Sequence, residues 1–368
     1  MKTVILTDAK YRSAITAART FGRAGYRVAA AQTRSDTNVT PPAFSSRYVA
    51  ERRWIDGKAD DSAYTERLIA LMQPYGRPVL FPVGAATLNA VSRARETFAP
   101  RCDFLISPPD VLDAVNDKEA VHRRAAELGL PVPREYDAAP DAYPVIVKPR
   151  CGEKFGLTAA DRYAVARDAA ELDKALASMR RYDPTPIVQE VVEGAGNSAC
   201  VLLDRESRLI GAFCHRRVRE YPISGGPSAC CESVFDAEKI DAAYRLLQSF
   251  GFVGLAMVEF KGGYILEVNP RVWGSFPLTT LAGSPIALRY AEAASGKRVE
   301  YRPCDYQTGV RMRFLLNDTL ATLALVRHGR LREAGAGVAD MLRAREALAD
   351  RDDPAPMRAY LKATVLKR

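Results

Sequence analysis

Residues 252–275 read FVGLAMVEFKGGYILEVNPRVWGS. Two short apolar runs, 254–260 and 264–268, meet at Gly262-Gly263, the pattern of two strands joined by a tight turn. Glu267 and Asn269 are two apart, so on a strand they share a face. Glu259 lies on the partner strand and joins that face only if the hairpin parity allows it. A three-residue loop over 262–264, or a bulge, sets Glu259 opposite Glu267; a plain two-residue loop opposes it to Leu266. Two carboxylates and a carboxamide oxygen on one face suit a hard cation that takes its other ligands from phosphate and water, as Mg2+ does. Solvated acids on an edge strand are the competing reading.

The chain has 368 residues, enough for two or three domains. At 48% hydrophobic and 26% charged it has the composition of a soluble globular protein. No apolar run is long enough to span a bilayer, so no membrane partner is expected. The start, MKTVILTDAK, lacks the apolar run and cleavage site of a signal peptide. Seven cysteines without CxxC spacing argue for reduced thiols, and a cytoplasmic location is expected. Three isolated histidines make a His-based metal centre unexpected. The net charge of +9 suits an anionic ligand. The Lys and Arg residues are spread along the chain without interleaved aromatics, so nucleic acid is not expected.

Residues 1–110 alternate strand-like and helix-like runs: strands at 3–7, 27–31, 47–50, 79–83 and 104–106, helices at 13–24, 64–73 and 85–95. This argues for a parallel sheet with helices on its faces. No GxGxxG follows the first strand, so a dinucleotide is unsupported. Asp8, Lys10 and Arg12 lie at that strand's end, where open α/β sheets bind ligands, although a plain polar loop reads equally well. A helix is expected over 116–130, capped by Asn116. A buried strand, YPVIVK at 143–148, ends in Lys148-Pro149, and RCGEKFG follows. A helix is expected over 168–181 and a strand over 187–192, IVQEVV. GAGNSA at 194–199 scans as GxGxxA, but strand-like residues follow it, so no dinucleotide fold is read there. Three Arg within 215–219, then Gly225-Gly226, suit anion binding or a solvated basic strand. A helix over 236–250 leads into the opening hairpin, and 300–368 carry a strand at 309–315 and helical segments without a catalytic motif.

In this order the motifs resemble the ATP-grasp ligases. Their core ends in a hairpin with an acid on the first strand and Glu-x-Asn on the second, here Glu259 and Glu267-Val268-Asn269. With Pro270-Arg271 and Trp273-Gly274-Ser275 the chain is most similar to the carbamoyl-phosphate-synthase-like branch of predicted carboxylate–amine ligases. The resemblance implies an α/β fold: a Rossmann-like pre-ATP-grasp domain over 1–110, a two-lobed α+β ATP-grasp domain over 111–295 with its small lobe near 143–192, and a strand and helical extension over 296–368. It assigns nucleotide phosphate to Lys118 and Lys148, with Lys154 on the loop that covers it. Gln189, Glu190 and Val192 would line the adenine slot. Glu259, Glu267 and Asn269 would hold Mg2+, which Mn2+ could replace. Arg271 and Arg217 are the catalytic candidates, placed near the acylphosphate and γ-phosphate. The loop at 150–156 departs from the family at Glu153 and Phe155, and Gly196 and Asn197 stand where a ribose-binding Glu is frequent. The implied activity is ATP-dependent joining of a carboxylate to an amine through an acylphosphate, releasing ADP and phosphate. A carboxylase, a carbamoyl-phosphate-type enzyme and a non-catalytic nucleotide-binding module are the alternatives. The implied partners are small-molecule carboxylates and amines, with room for a homodimer.

Overall fold

The first strand, β1 (Thr3–Leu6), is buried on both faces, as a central parallel strand must be. The computed structural model describes residues 2–61, 63–151, 157, 161–223 and 225–365. The elements up to the third helix are β1, α1 (Arg12–Arg23), β2 (Arg27–Thr33), β3 (Val49–Ile55), α2 (Tyr64–Met72), β4 (Val79–Phe81) and α3 (Ala85–Arg93). Then come α4 (Arg95–Phe98), α5 (Pro109–Asn116), α6 (Lys118–Glu127), β5 (Val145–Lys148), β6 (Ala164–Ala166), α7 (Ala169–Met179) and β7 (Ile187–Glu190). The large sheet is built from β8 (Gly196–Leu203), β9 (Leu209–Glu220), β10 (Ser228–Val234), β11 (Gly254–Lys261) and β12 (Tyr264–Asn269), with α8 (Ala237–Ser249) between β10 and β11. The last elements are α9 (Pro277–Leu281), α10 (Ile286–Ala294), β13 (Arg311–Arg313), α11 (Leu315–Arg327), α12 (Leu331–Arg343), β14 (Arg345–Glu346) and α13 (Ala355–Val365).

Three sheets organise this mixed α/β chain. Strands β3-β2-β1-β4 form a parallel sheet. Its side chains alternate between two cores: Val4, Leu6, Val28 and Ala30 pack with Ile15 and Phe21 of α1, while Ile5, Ala29 and Ala31 pack with Leu68 of α2 and Val91 of α3. Both cores continue into the large sheet, through Cys200 and Leu202 on one face and Val201 and Leu203 on the other. That sheet has the order β12-β11-β8-β9-β10-β13-β14 and is antiparallel up to β13, with β14 added in parallel. A separate antiparallel sheet, β6-β5-β7, carries α7 over a small core of its own.

Several expected elements move. The strand expected at 47–50 is β3, which starts at Val49 because Arg47 and Tyr48 form the preceding turn. Residues 104–106 are buried but not a strand; an isolated bridge, Val79 to Asp103, lies just before them. The helix expected over 116–130 breaks at Asp117, which is extended and caps α6 by accepting from the Ala120 N–H. Asn116 instead ends α5. The GxGxxA match lies where β8 begins, a strand and not a helix. All seven cysteines are free. Among the described residues no helix is long and apolar enough to cross a membrane.

Residues 318–353 close back on α1 and β9. Arg19 of α1 is 4% exposed and pairs with Asp353 at 2.9 Å while donating to the Leu348 carbonyl at 3.0 Å. Arg219 of β9 is gripped by Asp318 of α11 at 2.7 Å and Asp340 of α12 at 2.6 Å.

Candidate active site

The parity question at the hairpin is settled by a bulge. Gly262 and Gly263 have φ of +56° and +95°, the left-handed region that a two-residue hairpin turn needs. Lys261 then pairs with Tyr264 and Phe260 with Ile265. Leu266 is the extra residue, so Glu259 pairs with Glu267, Val258 with Val268 and Met257 with Asn269. A side chain at Gly262 has no room: a Cβ there would lie 2.2 Å from the Glu193 carbonyl oxygen.

Glu259 and Glu267 are bridged by Asn269, whose Nδ2 lies 3.3 Å from an oxygen of each. The carboxamide oxygen, expected to face a cation, turns the other way and accepts from Arg271 Nη2 at 3.4 Å. Each acid also has a cation. Lys118 Nζ is 3.0 Å from Glu267, and Arg217 Nη2 is in direct contact with Glu259. Burial disfavours the charged form of Glu267, but Lys118 and then Lys148 outweigh it and hold the carboxyl well below the usual range. Glu259 is pushed up, chiefly by burial and against the pull of Arg217. Two opposed acids beside an amide that can turn its oxygen to a cation make a donor set that fits Mg2+. Glu259, Glu267 and Asn269 would hold it.

Lys148 ends β5 of the small sheet. It is 9% exposed, and burial followed by the charge of Lys118 pushes its ammonium down to about 8, against Glu267 and Glu135. Four cationic side chains, Lys118, Lys148, Arg217 and Arg271, thus lie around Glu259 and Glu267, with Glu220 3.5 Å from Arg217 and Glu135 acting on Lys148. Clustered cations of this kind suit a polyphosphate.

Of the three arginines after His215, only Arg217 reaches the acids. Register breaks flank Cys230, so that Arg219 pairs with Cys230 and Arg217 with Cys231. Arg219 turns to α11 and α12, and Arg216 binds Glu232 at 3.0 Å. The anion-binding reading of this stretch therefore narrows to one residue. His215 hydrogen-bonds Ser275 at 2.8 Å, and burial, then Arg217, pushes it down to about 3, so it is neutral.

Other expected contacts are differently placed. The Gln189 amide is buried away in a polar cluster, donating to Glu135 at 2.8 Å beside His122. The Glu190 N–H, expected to read an adenine edge, donates to the Arg134 carbonyl at 3.0 Å, and its carboxylate accepts from the Arg134 N–H at 2.9 Å. Val192 lies beyond the end of β7, beside the Gly262 turn. Lys154, with Glu153 and Phe155, lies outside the described residues. Asp8 is a structural acid: at φ +58° it accepts from the Gly84 N–H at 2.9 Å and from Thr87 at 3.0 Å. Lys10 pairs with Asp36 at 3.2 Å, and the Arg12 guanidinium lies 3.6 Å from the Phe314 ring centroid.

Two residues beside the site escaped the sequence reading, His122 and Glu135. His122 stands one helical turn after Lys118 on α6. That i,i+4 spacing was the available signal.

Residues 115–275 match the ATP-grasp domain family. The chain is 25% identical over 217 residues to the carbamoyl phosphate synthase large chain of Streptomyces avermitilis, and 26% over 215 residues to that of Streptomyces coelicolor. Each match takes in 52% of this chain but 19% of the relative, so the chain spans about a fifth of their length. Among solved structures, biotin carboxylase from Campylobacter jejuni with β-γ-ATP superposes with a TM-score of 0.63 at 16% identity, covering 84% of this chain and 74% of that one. The biotin carboxylase domain of Hydrogenobacter thermophilus 2-oxoglutarate carboxylase, solved with MgADP, ADP and bicarbonate, gives 0.64 at 15% identity, covering 84% and 73%. At such identities the likeness is one of fold.

Proposed function

We propose that this chain, which belongs to the ATP-grasp superfamily, is an ATP-dependent ligase that joins a carboxylate to an amine. The observation that carries the reading is the pair Glu259 and Glu267, opposed across the hairpin with Asn269 between them and ringed by cations. Lys118 and Lys148 neutralise the phosphates that are not transferred. Arg271 and Arg217 face the transferred phosphoryl group, where a guanidinium forks onto oxyanions. Glu259, Glu267 and Asn269 would hold Mg2+, which would supply charge neutralisation to the phosphates. A substrate carboxylate oxygen attacks the γ-phosphorus and ADP departs. An amine then attacks the acyl carbon, loses a proton and expels phosphate. This chemistry runs on positioning and electrostatics and needs no nucleophilic side chain.

A second reading is carboxylation or carbamoyl-phosphate-type chemistry, favoured by the names of the similar proteins. ADP release measured with bicarbonate alone, and with carboxylic acid and amine pairs, separates the two. Release that needs both acid and amine supports the ligase. Release with bicarbonate alone transfers the proposal to the second reading. A nucleotide-binding module would bind ADP and release none.

A further inference from the structure

We infer that His122 is a positioning residue: it holds the Leu266 bulge, and with it Glu267, against the small sheet that carries Lys148. The inference rests on the nucleotide reading of the cleft.

A bulge leaves one residue outside the ladder, and its part-buried carbonyl takes a donor from elsewhere. Here the Leu266 carbonyl accepts from His122 Nε2 at 2.9 Å. The same helix face holds the next residue as well, through Lys118 and Glu267 at 3.0 Å. Helix α6 thus grips both the backbone and the side chain of the metal-facing strand. The neighbouring Ile265 N–H donates to the Pro131 carbonyl at 2.9 Å, so this edge strand is anchored on both sides of the bulge.

The other ring nitrogen faces the small sheet. His122 Nδ1 lies 2.5 Å from Glu135, and Gln189 of β7 donates to the same carboxylate oxygen at 2.8 Å. Residues 134–136 run beside β7, with Tyr136 N–H donating to Val188 and Glu190 N–H to Arg134. The Glu135 carboxylate acts in turn on Lys148, the buried lysine of that sheet. One ring therefore joins the strand of Glu267 to the sheet of Lys148. At 3% exposure His122 is out of reach of a substrate, so its effect passes through these partners. Only a flat ring with two opposed nitrogens makes both contacts; leucine or phenylalanine fills the space and makes neither.

A core histidine without this role would, on removal, lower stability and leave ion binding alone. ADP binding titrated calorimetrically across a Mg2+ series, with thermal melting as the fold check, separates the two. For His122→Leu the Mg2+ concentration that half-saturates ADP binding should rise about tenfold or more, the cost usual for losing a residue behind a metal ligand. His122→Gln restores a donor toward Leu266 and should recover much of that loss. A folded His122→Leu with the wild-type Mg2+ requirement overturns the inference, whatever its melting temperature. If His122→Leu does not fold, Glu135→Gln decides: a several-fold rise supports the role, and no change overturns it. Wild-type protein that binds no ADP at any Mg2+ concentration removes both this inference and the nucleotide reading. Normal wild-type binding with insensitive variants removes this inference alone.

Discussion

Glu259 and Glu267 stand opposite one another across β11 and β12, although the two-residue turn alone would pair Glu259 with Leu266. One inserted residue brings an acid that would pair elsewhere opposite Glu267, as the proposed cation site requires. Glu267→Gln should leave the fold intact, since Gln keeps the size of the side chain and can still accept from Lys118. It should weaken Mg2+ dependence and cut turnover by about a hundredfold or more, the scale of losing one preorganised charge contact. Turnover against Mg2+ concentration measures it; ordinary turnover in the variant would refute the metal site.

The turn itself can be tested through its two glycines. Both have positive φ, so alanine at either strains the backbone. At Gly262 the new Cβ also meets the Glu193 carbonyl, while at Gly263 nothing lies within 4 Å. Gly262→Ala should cost about 1–3 kcal/mol more than Gly263→Ala in urea unfolding, an amount typical of a forced backbone shift. Equal costs would mean that the turn is not held against the 193–195 segment.

Lys148 gives a signed pH dependence. Its folded pKa is depressed to about 8, so below pH 8 both folded and unfolded chains carry the proton. Between about 8 and the ordinary lysine value only the unfolded chain does, and this group's contribution to stability rises with pH across that window. Phosphate affinity runs in the opposite direction, because it needs the ammonium. One unit above the pKa about a tenth of the lysine remains protonated, so ADP affinity should fall up to about tenfold between pH 7 and 9. Lys148→Met should bind weakly and show a flatter profile. An unchanged affinity in that variant, read by calorimetry, would remove Lys148 from the site.

How much of this was legible beforehand follows from the range of each interaction. The hairpin was legible because alternation and Gly-Gly are local signals; the bulge was not, because its carbonyl is satisfied by His122, 144 residues away. The break at Asp117 hides in a run that looks helical throughout, and the cap is seen only once α6 has an axis. Strand β14 has two residues and exists only beside β13. The three clustered arginines read alike in sequence. A register break in β9 and β10 sends Arg217 and Arg219 to different partners, and that break depends on the pairing of two strands.

Arg219 is the contrasting case. With Asp318 and Asp340 it forms a triad buried at 8%, 0% and 5% side-chain exposure. Arg219→Met leaves Asp318 without its cation and Asp340 with Arg311 alone, which should cost about 3–5 kcal/mol of stability in urea unfolding. ADP affinity of the folded variant should stay within about twofold, since Arg219 faces α11 and α12; a loss of stability under about 1 kcal/mol would contradict its anchoring role.

The central claim is that a carboxylate oxygen attacks the γ-phosphate of ATP. The direct measurement uses carboxylic acids labelled with 18O in the carboxylate, supplied with Mg2+, ATP and a panel of amines, and reads the released phosphate by mass spectrometry. The account predicts ADP and phosphate in equal amounts, dependent on both acid and amine, with one labelled oxygen in each phosphate. Phosphate released without label, or release of AMP and pyrophosphate, would contradict it.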